Sequence, residues 1–305
     1  MFRFSNYGIS ETAQAYFLLI ITTLCWACNA VFARLAVGEI SPMLLVSIRW
    51  FGTLVLLSLF AGKTILKDLS AIRRHLGYLY LMGTAGLGGF GTLIYYSAYT
   101  TTAINIGIIQ GAMPAVVLVG SYLFFRTPVS LLQKAGVGIT IVGVVIVSVR
   151  GELERLMGLI FNRGDLLMLI AVMLYAGYTV GLRRKHDLSS IALFVSVVAS
   201  AFVSTFPLTL YEVVSGRTVW PKPEGWILVG LIVLLPSFLS QICFITSVKL
   251  IGPGRAGVFV NLVPVFASFM AVAFLGEAFE FFHGLSLALV LSGIYVFEKF
   301  KPLGV

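Results

Sequence analysis

The chain has 305 residues, of which 59% are hydrophobic and only 11% charged, and its mean hydropathy is +1.02. A water-soluble domain of this length builds its core with far less apolar material, so the composition excludes an ordinary soluble globular protein. The net charge of +9 is scattered over many short segments with no basic domain, which argues against a nucleic-acid binder.

A helix needs roughly 20 mostly apolar residues to cross the hydrocarbon layer, which sets the length test for each apolar run. Ten runs are predicted to span: 16–36, 42–61, 77–97, 104–125, 132–149, 165–182, 190–211, 226–248, 256–275 and 281–297. They are continuous rather than short and alternating, so helices are expected and not strands. The expected fold is an all-α integral membrane protein.

The first span contains Cys25-Trp-Ala-Cys28 followed by Asn29. A C-x-x-C pair elsewhere suggests redox or metal chemistry, but this one lies in an apolar helix. The only other cysteine is Cys243, and His75, His186 and His283 fall in loops or at span ends. Small buried hydrophobes are the expected role of these thiols, with no metal and no cofactor. In the second span Arg49 is the one charge clearly inside a run, with no carboxylate in a neighbouring span to pair with it. It has the chemistry to bind a substrate carboxylate, yet an architectural role is the expected one.

Gly86-Leu-Gly-Gly-Phe-Gly91 in the third span fits G-x-G-x-x-G literally, but no strand precedes it. The glycines are expected to mark a packing face or a bendable segment. Tyr95, Tyr96 and Tyr99 close that span. Gln110 precedes Pro114 in span four, Tyr175 and Tyr178 sit in span six, Pro236 and Ser237 are expected to break span eight one turn before Gln241, and Asn261 precedes Pro264 in span nine. A polar amide in hydrocarbon needs a partner, so Asn29, Gln110, Gln241 and Asn261 should either line a cavity or bond between helices, the latter worth about 0.6 to 2 kcal/mol each. Deep Trp and Tyr side chains offer ring faces and a polar tip to a flat amphipathic solute. The candidate substrate-binding residues are therefore Trp26, Asn29, Tyr95, Tyr99, Gln110, Tyr175, Tyr178, Ser237, Gln241 and Asn261. No catalytic group is expected, because the twelve acidic residues lie in loops or at span ends, without a His/Asp or Ser/His grouping.

Orientation follows from the basic residues. Loops on one side hold Arg3, Lys63, Lys67, Arg73, Arg74, Arg126, Lys134, Arg183, Arg184, Lys185, Lys249, Arg255, Lys299 and Lys301, fourteen of the 21. The other side holds six, Arg34, Arg150, Arg155, Arg163, Arg217 and Lys222. The positive-inside rule then predicts both termini on the cytoplasmic face of the cell (inner) membrane. The first 15 residues carry one Arg and one Glu, and no small-residue cleavage site follows the first span, so a retained first helix is expected.

Shifted by 150 residues, the chain partly matches itself. Residues Asn105 to Pro114 overlie Arg255 to Pro264, pairing Gly107 with Gly257 and Pro114 with Pro264, and the register continues through Phe124 with Phe274 and Gly143 with Gly293. Each half, 1–150 and 151–305, then has five spans. An odd number places the second half upside down, giving two inverted five-helix repeats, an arrangement found in transporters with a substrate site near the midplane.

Trp26-Ala-Cys-Asn29, Arg49, the Gly/Pro pattern of spans four and nine, and Phe274-Leu-Gly-Glu277 together resemble the drug/metabolite transporter superfamily, in its ten-helix EamA-type branch. The resemblance covers almost the whole chain. It departs at one point, where Phe125-Arg-Thr127 stands opposite Leu275-Gly-Glu277, so the Gly-Glu element occurs once. The resemblance implies transport, with exporters of amino acids and importers of compounds such as riboflavin and S-adenosylmethionine among the branch's members. The expectation is a carrier of a small organic metabolite working by alternating access, and the alternatives are an integral-membrane enzyme or a passive channel. Its expected partners are a small-molecule substrate and the lipid bilayer, with no nucleic acid; a homodimer is left open. Asp165, Glu277 and His75 stand at span ends with everything deeper neutral except Arg49, so flux is expected to follow the substrate's own gradient.

Overall fold

The structure is a computed structural model and describes residues 10–100, 110, 113–148, 154, 157, 163–182, 187–275 and 280–300. Asn105, Gly107, Arg150, Arg155, Arg183 to Lys185 and Glu277, on which parts of the sequence reading rest, lie outside the described residues. The first half contains α1 (Glu11–Ala36), α2 (Pro42–Arg74), α3 (Leu76–Met82), a π-helical segment Gly83–Gly89, α4 (Phe90–Thr100), α5 (Met113–Phe125) and α6 (Leu131–Ser148). The second contains α7 (Arg163–Gly181), α8 (Ser190–Val214), α9 (Pro223–Ile232), a second π-helical segment Val233–Leu239, α10 (Ser240–Ile251), α11 (Pro253–Val258), a 3-10 turn Phe259–Asn261, α12 (Leu262–Leu275) and α13 (Phe281–Lys299). Four continuous helical stretches among the described residues, Glu11–Ala33, Pro42–Leu59, Ser190–Val214 and Pro223–Ile251, are long and apolar enough to cross a bilayer, and shorter apolar helices accompany them. Large apolar side chains face outward, Phe124 at 77% exposure and Leu59 at 69%, as suits a molecule whose solvent is lipid.

Helix α2 runs 33 residues, well past the expected end of span two at residue 61. Charge marks where a helix leaves hydrocarbon, not where it ends. Lys63 to Arg74 contains no proline, and Arg73 and Arg74 in the last turn suit the negative end of the helix dipole. At about 1.5 Å per residue this helix is roughly 50 Å long and must project beyond a hydrocarbon core of about 30 Å.

The two π-helical segments, each seven residues, are separated by the same 150 positions as the sequence repeat. In the second, Pro236 has no N–H to give the Ile232 carbonyl, which would leave that carbonyl unpaired in hydrocarbon. The Ser237 hydroxyl donates to it instead at 2.6 Å, and Ser240 Oγ donates to the Pro236 carbonyl at 2.5 Å. The expected break in span eight is therefore a widened turn through which the helix continues. In the first segment the glycines admit neighbours: a Cβ on Gly83 would strike the backbone carbonyl of Val197 in α8, and one on Gly86 would strike the Tyr178 ring. The nucleotide-like glycine run is a packing face.

The repeats exchange partners. Helix α1 packs on α10 and α12, and α7 packs in the same way on α4 and α5, while α2 pairs with α8 and α6 with α13. Exchanging the halves by the shift of 150 turns the pairings of α1 into those of α7 and returns α2–α8 and α6–α13 onto themselves. Hydroxyls join α2 to α8, with Ser47 Oγ and Thr209 Oγ1 at 2.6 Å and Thr209 Oγ1 donating to the Met43 carbonyl at 2.8 Å. Glu212 accepts the first-turn N–H of Leu44, which no residue of its own helix can satisfy.

Loop contacts sort the connections by end. At one end Ser41 N donates to the Val219 carbonyl, and Val219 N donates back to Ser41 Oγ. At the other, Asp68 beyond the apolar part of α2 accepts from Ser189 N, the N-cap residue of α8, at 2.9 Å. Hydrogen bonds from Ser189 hold the Asp68 carboxyl below the usual carboxylate range. Ser130 Oγ donates to the Phe300 carbonyl, joining the corner before α6 to the end of α13.

Candidate functional site

A cavity of about 560 Å³, counting the space at its mouth, opens where the two repeats meet. Its walls come from Trp26 and Asn29 of α1, Arg49 and Trp50 of α2, Leu87 of the first π-helical segment, Phe90 and Ile94 of α4, Gln110, Met113 of α5, Tyr175 of α7, Gln241 of α10, Val260 of the 3-10 turn and Val263 of α12. The π-helical segment matters locally because the turn it widens shifts the register between Leu79 and Phe90 and lets Gly86 admit Tyr178 behind the cavity wall.

One wall is aromatic. Tyr175 stands edge-on to Trp26, with ring centroids 5.5 Å apart at 85°, and lies 4.9 Å from Phe90. Phe244 backs both Trp26 at 5.1 Å and Tyr175 at 6.1 Å. The opposite character comes from a polar chain that crosses three helices. Arg49 Nη1 donates to the Tyr95 hydroxyl at 3.2 Å, and that hydroxyl donates to Asn29 Oδ1 at 3.1 Å. Each bond polarises the next, fixing the direction of the chain. Arg49 Nη2 reaches the Pro236 carbonyl in the second π-helical segment at 3.4 Å, and its guanidinium carbon lies 4.8 Å from the Trp50 ring centroid. Gln241 Nε2 makes a long contact of 3.5 Å to the Tyr175 hydroxyl.

Of the ten residues expected from sequence, Trp26, Asn29, Gln110, Tyr175 and Gln241 line this cavity. Tyr95 is buried one layer behind, as the link between Arg49 and Asn29. Tyr178 packs behind Tyr175 at 5.4 Å, its hydroxyl unpaired. Ser237 is committed to the Ile232 carbonyl. Asn261 is fully buried in the 3-10 turn between lining residues Val260 and Val263, with neither end of its amide paired. Tyr99 is 48% exposed and stands apart from the cavity. Sequence reasoning did not select Trp50, Leu87, Phe90, Ile94, Met113, Val260 or Val263, and gave Arg49 an architectural role. Trp50 and Phe90 carried a usable signal as aromatics well inside their spans; the aliphatic residues carried none. Cys25 and Cys243 are buried and Cys28 contacts the Met270 sulfur at 3.5 Å, so the C-x-x-C is packing. Among the described residues no three His, Cys, Asp or Glu side chains come together as a metal site.

The profile of the EamA-like transporter family matches this chain twice, over residues 13–149 and 162–298. The chain belongs to the EamA-like transporter family. It is a multi-pass membrane transporter built from two EamA repeats. It is similar to an uncharacterized transporter of Archaeoglobus fulgidus, at 25% identity over 93% of this chain and 97% of that one. It is likewise similar to the uncharacterized transporters YyaM and YetK of Bacillus subtilis, each at 24% identity, covering 92% and 94% of this chain and 92% and 88% of theirs. A solved crystal structure superposes with a TM-score of 0.75 over 92% of this chain and 95% of that chain, at 17% identity, so it shares the fold. The aromatic wall and the Arg49 chain both border the cavity, which takes lining residues from each of the two matched regions.

Proposed function

We propose that this protein carries a small amphipathic organic solute by alternating access, binding it in the cavity between the repeats. The aromatic wall of Trp26, Phe90 and Tyr175, in one lining with the amides of Asn29, Gln110 and Gln241, supports this reading. A flat ring lies against the former, and polar substituents bond to the latter. An aromatic amino acid moving outward or a flavin-like vitamin moving inward has that chemistry. The halves 1–150 and 151–305 rock against each other about the cavity, the expected motion of inverted repeats.

Purified protein in liposomes preloaded with members of a metabolite panel is expected to show saturable counterflow of at least one aromatic amphipathic solute. Because the described lining holds no carboxylate or histidine, an imposed proton gradient is expected to change that flux less than about twofold. Linear, non-saturating flux would indicate a channel, and accumulation that follows the proton gradient would defeat the uncoupled scheme.

We further propose that the protein sits in the cell (inner) membrane with both termini in the cytoplasm. The charge asymmetry supports this, and the Asp68–Ser189 contact agrees with it by joining two of the positively charged connections. Single cysteines at Lys67 or Arg73 are expected to resist a membrane-impermeant maleimide added to intact cells, while one at Arg217 reacts. The reverse pattern would invert the topology.

A further inference from the structure

Arg49 is the cationic member of the described cavity lining, and it is 4% exposed. A buried charge is costly unless something of opposite sign offsets it, and removing one partner of such a pair is more costly still. Yet the groups that Arg49 meets are neutral. The Tyr95 hydroxyl has its own proton committed to Asn29, and the Pro236 carbonyl is 3.4 Å away. Arg49 Nε is buried with no acceptor, and so is the indole Nε1 of Trp50, the next residue and also part of the lining. No Asp or Glu belongs to the described lining.

Among the described residues, two buried donors without acceptors beside a cation without a counter-ion, at the wall of the cavity, describe a site with room for a further acceptor of negative charge. We propose that Arg49 is an anion subsite, and that the transported solute carries a single carboxylate which docks on the guanidinium beside the Trp50 indole N–H. The planar guanidinium fork matches a carboxylate in two parallel hydrogen bonds, which a neutral amide or ester cannot reproduce. One cation among the described lining suits a monoanion better than a phosphate dianion. The Tyr95–Asn29 chain holds the guanidinium in place before the solute arrives, so little ordering is needed on binding. The contact from Arg49, in the first repeat, to Pro236, in the second, means that a docking carboxylate competes with a bond between the repeats. This inference rests on the carrier reading and narrows it, favouring an aromatic amino or monocarboxylic acid over a neutral flavin-like vitamin.

The test uses matched probes in the liposome assay: phenylalanine against phenylalaninamide and its methyl ester, and 3-phenylpropionate against its primary amide, each competing for counterflow of the panel solutes. The carboxylate of each set is expected to compete at least about tenfold better than the counterpart whose carboxyl group is masked, and the 3-phenylpropionate pair, which has no amine, isolates the carboxylate from any repulsion between an ammonium and Arg49. Arg49→Gln is expected to erase that preference and Arg49→Lys to keep part of it. Masked probes that compete as well as the acids in the unsubstituted protein would overturn the anion subsite, as would an unchanged preference in Arg49→Gln or carriage of neutral panel solutes with no response to either acid. The comparison in the unsubstituted protein decides the matter even if Arg49→Gln fails to fold. Absence of counterflow by every solute in the panel would remove the carrier reading itself, and the subsite with it.

Discussion

Tyr175→Ala is expected to lower transport at least about tenfold while leaving the amount of folded protein in the membrane within about twofold. Tyr175 meets Trp26, Phe90, Tyr178 and Phe244, so its ring is the hub of the aromatic wall. Truncating a fully enclosed aromatic costs about 3 to 5 kcal/mol. Here one side already borders the cavity, so the lost atoms enlarge an existing space instead of opening a sealed void, and the stability cost falls below that range. The solute, by contrast, loses a ring face worth about 0.5 to 1.5 kcal/mol beyond simple burial, together with the enclosure that excludes water. Tyr175→Phe removes only the long contact from Gln241 and should be mild. Tyr178→Phe should be silent or slightly stabilising, since that hydroxyl is buried without a partner. Counterflow rates normalised to protein level check all three, and normal transport by Tyr175→Ala would remove the aromatic wall from the site.

Gly293→Ala is expected to act on folding instead, destabilising the bundle by about 2 to 3 kcal/mol. An added Cβ there would run into Thr140 and lie 2.7 Å from the Gly136 carbonyl and 2.8 Å from Thr140 N. Backbone of α6 cannot step aside as a flexible side chain can, so α13 would have to move away along its whole packed length. The reciprocal glycine, Gly143, faces the Ser286 carbonyl and Val290 at 3.0 Å, and Gly143→Ala should be milder. Gly138, on the same helix with nothing within 4 Å, supplies the control: Gly138→Ala should leave melting temperature unchanged or raise it slightly. Detergent melting curves separate these outcomes, and equal stability of the Gly293 and Gly138 variants would contradict the close contact of α6 with α13.

Much of this was visible in the chain itself. The shift of 150 found between Gly143 and Gly293 reappears as a pair of reciprocal close contacts and as two π-helical segments in register. The glycine run of span three, read as a packing face or a bendable segment, meets Val197 and Tyr178 at close approach in a π-helical turn. Pro236 marked an irregularity, but its type depended on the Ser237 hydroxyl serving the Ile232 carbonyl that the proline cannot. The apolar part of α2 ends at Leu59, close to the expected end of span two at residue 61, while the helix itself continues to Arg74, because charge reports the limit of hydrocarbon and not the limit of the helix.

The sequence by itself determined the solvent, the helical class, the repeat and the family, because each of these acts on windows of about 20 residues or on a fixed offset that can be counted along the chain. It also flagged which polar side chains needed a partner. Only the tertiary structure decided which of them find one, as Asn29 does in Tyr95, and which, like Asn261, do not. A helix can turn about its axis without any change in its own hydrogen bonds, and its rotation is set by the residues of other helices packed against it. That is why Tyr175 faces the cavity while Tyr178, three residues on, lies behind it, and why Arg49 stands among neutral groups although an acid on any neighbouring helix would have changed its meaning.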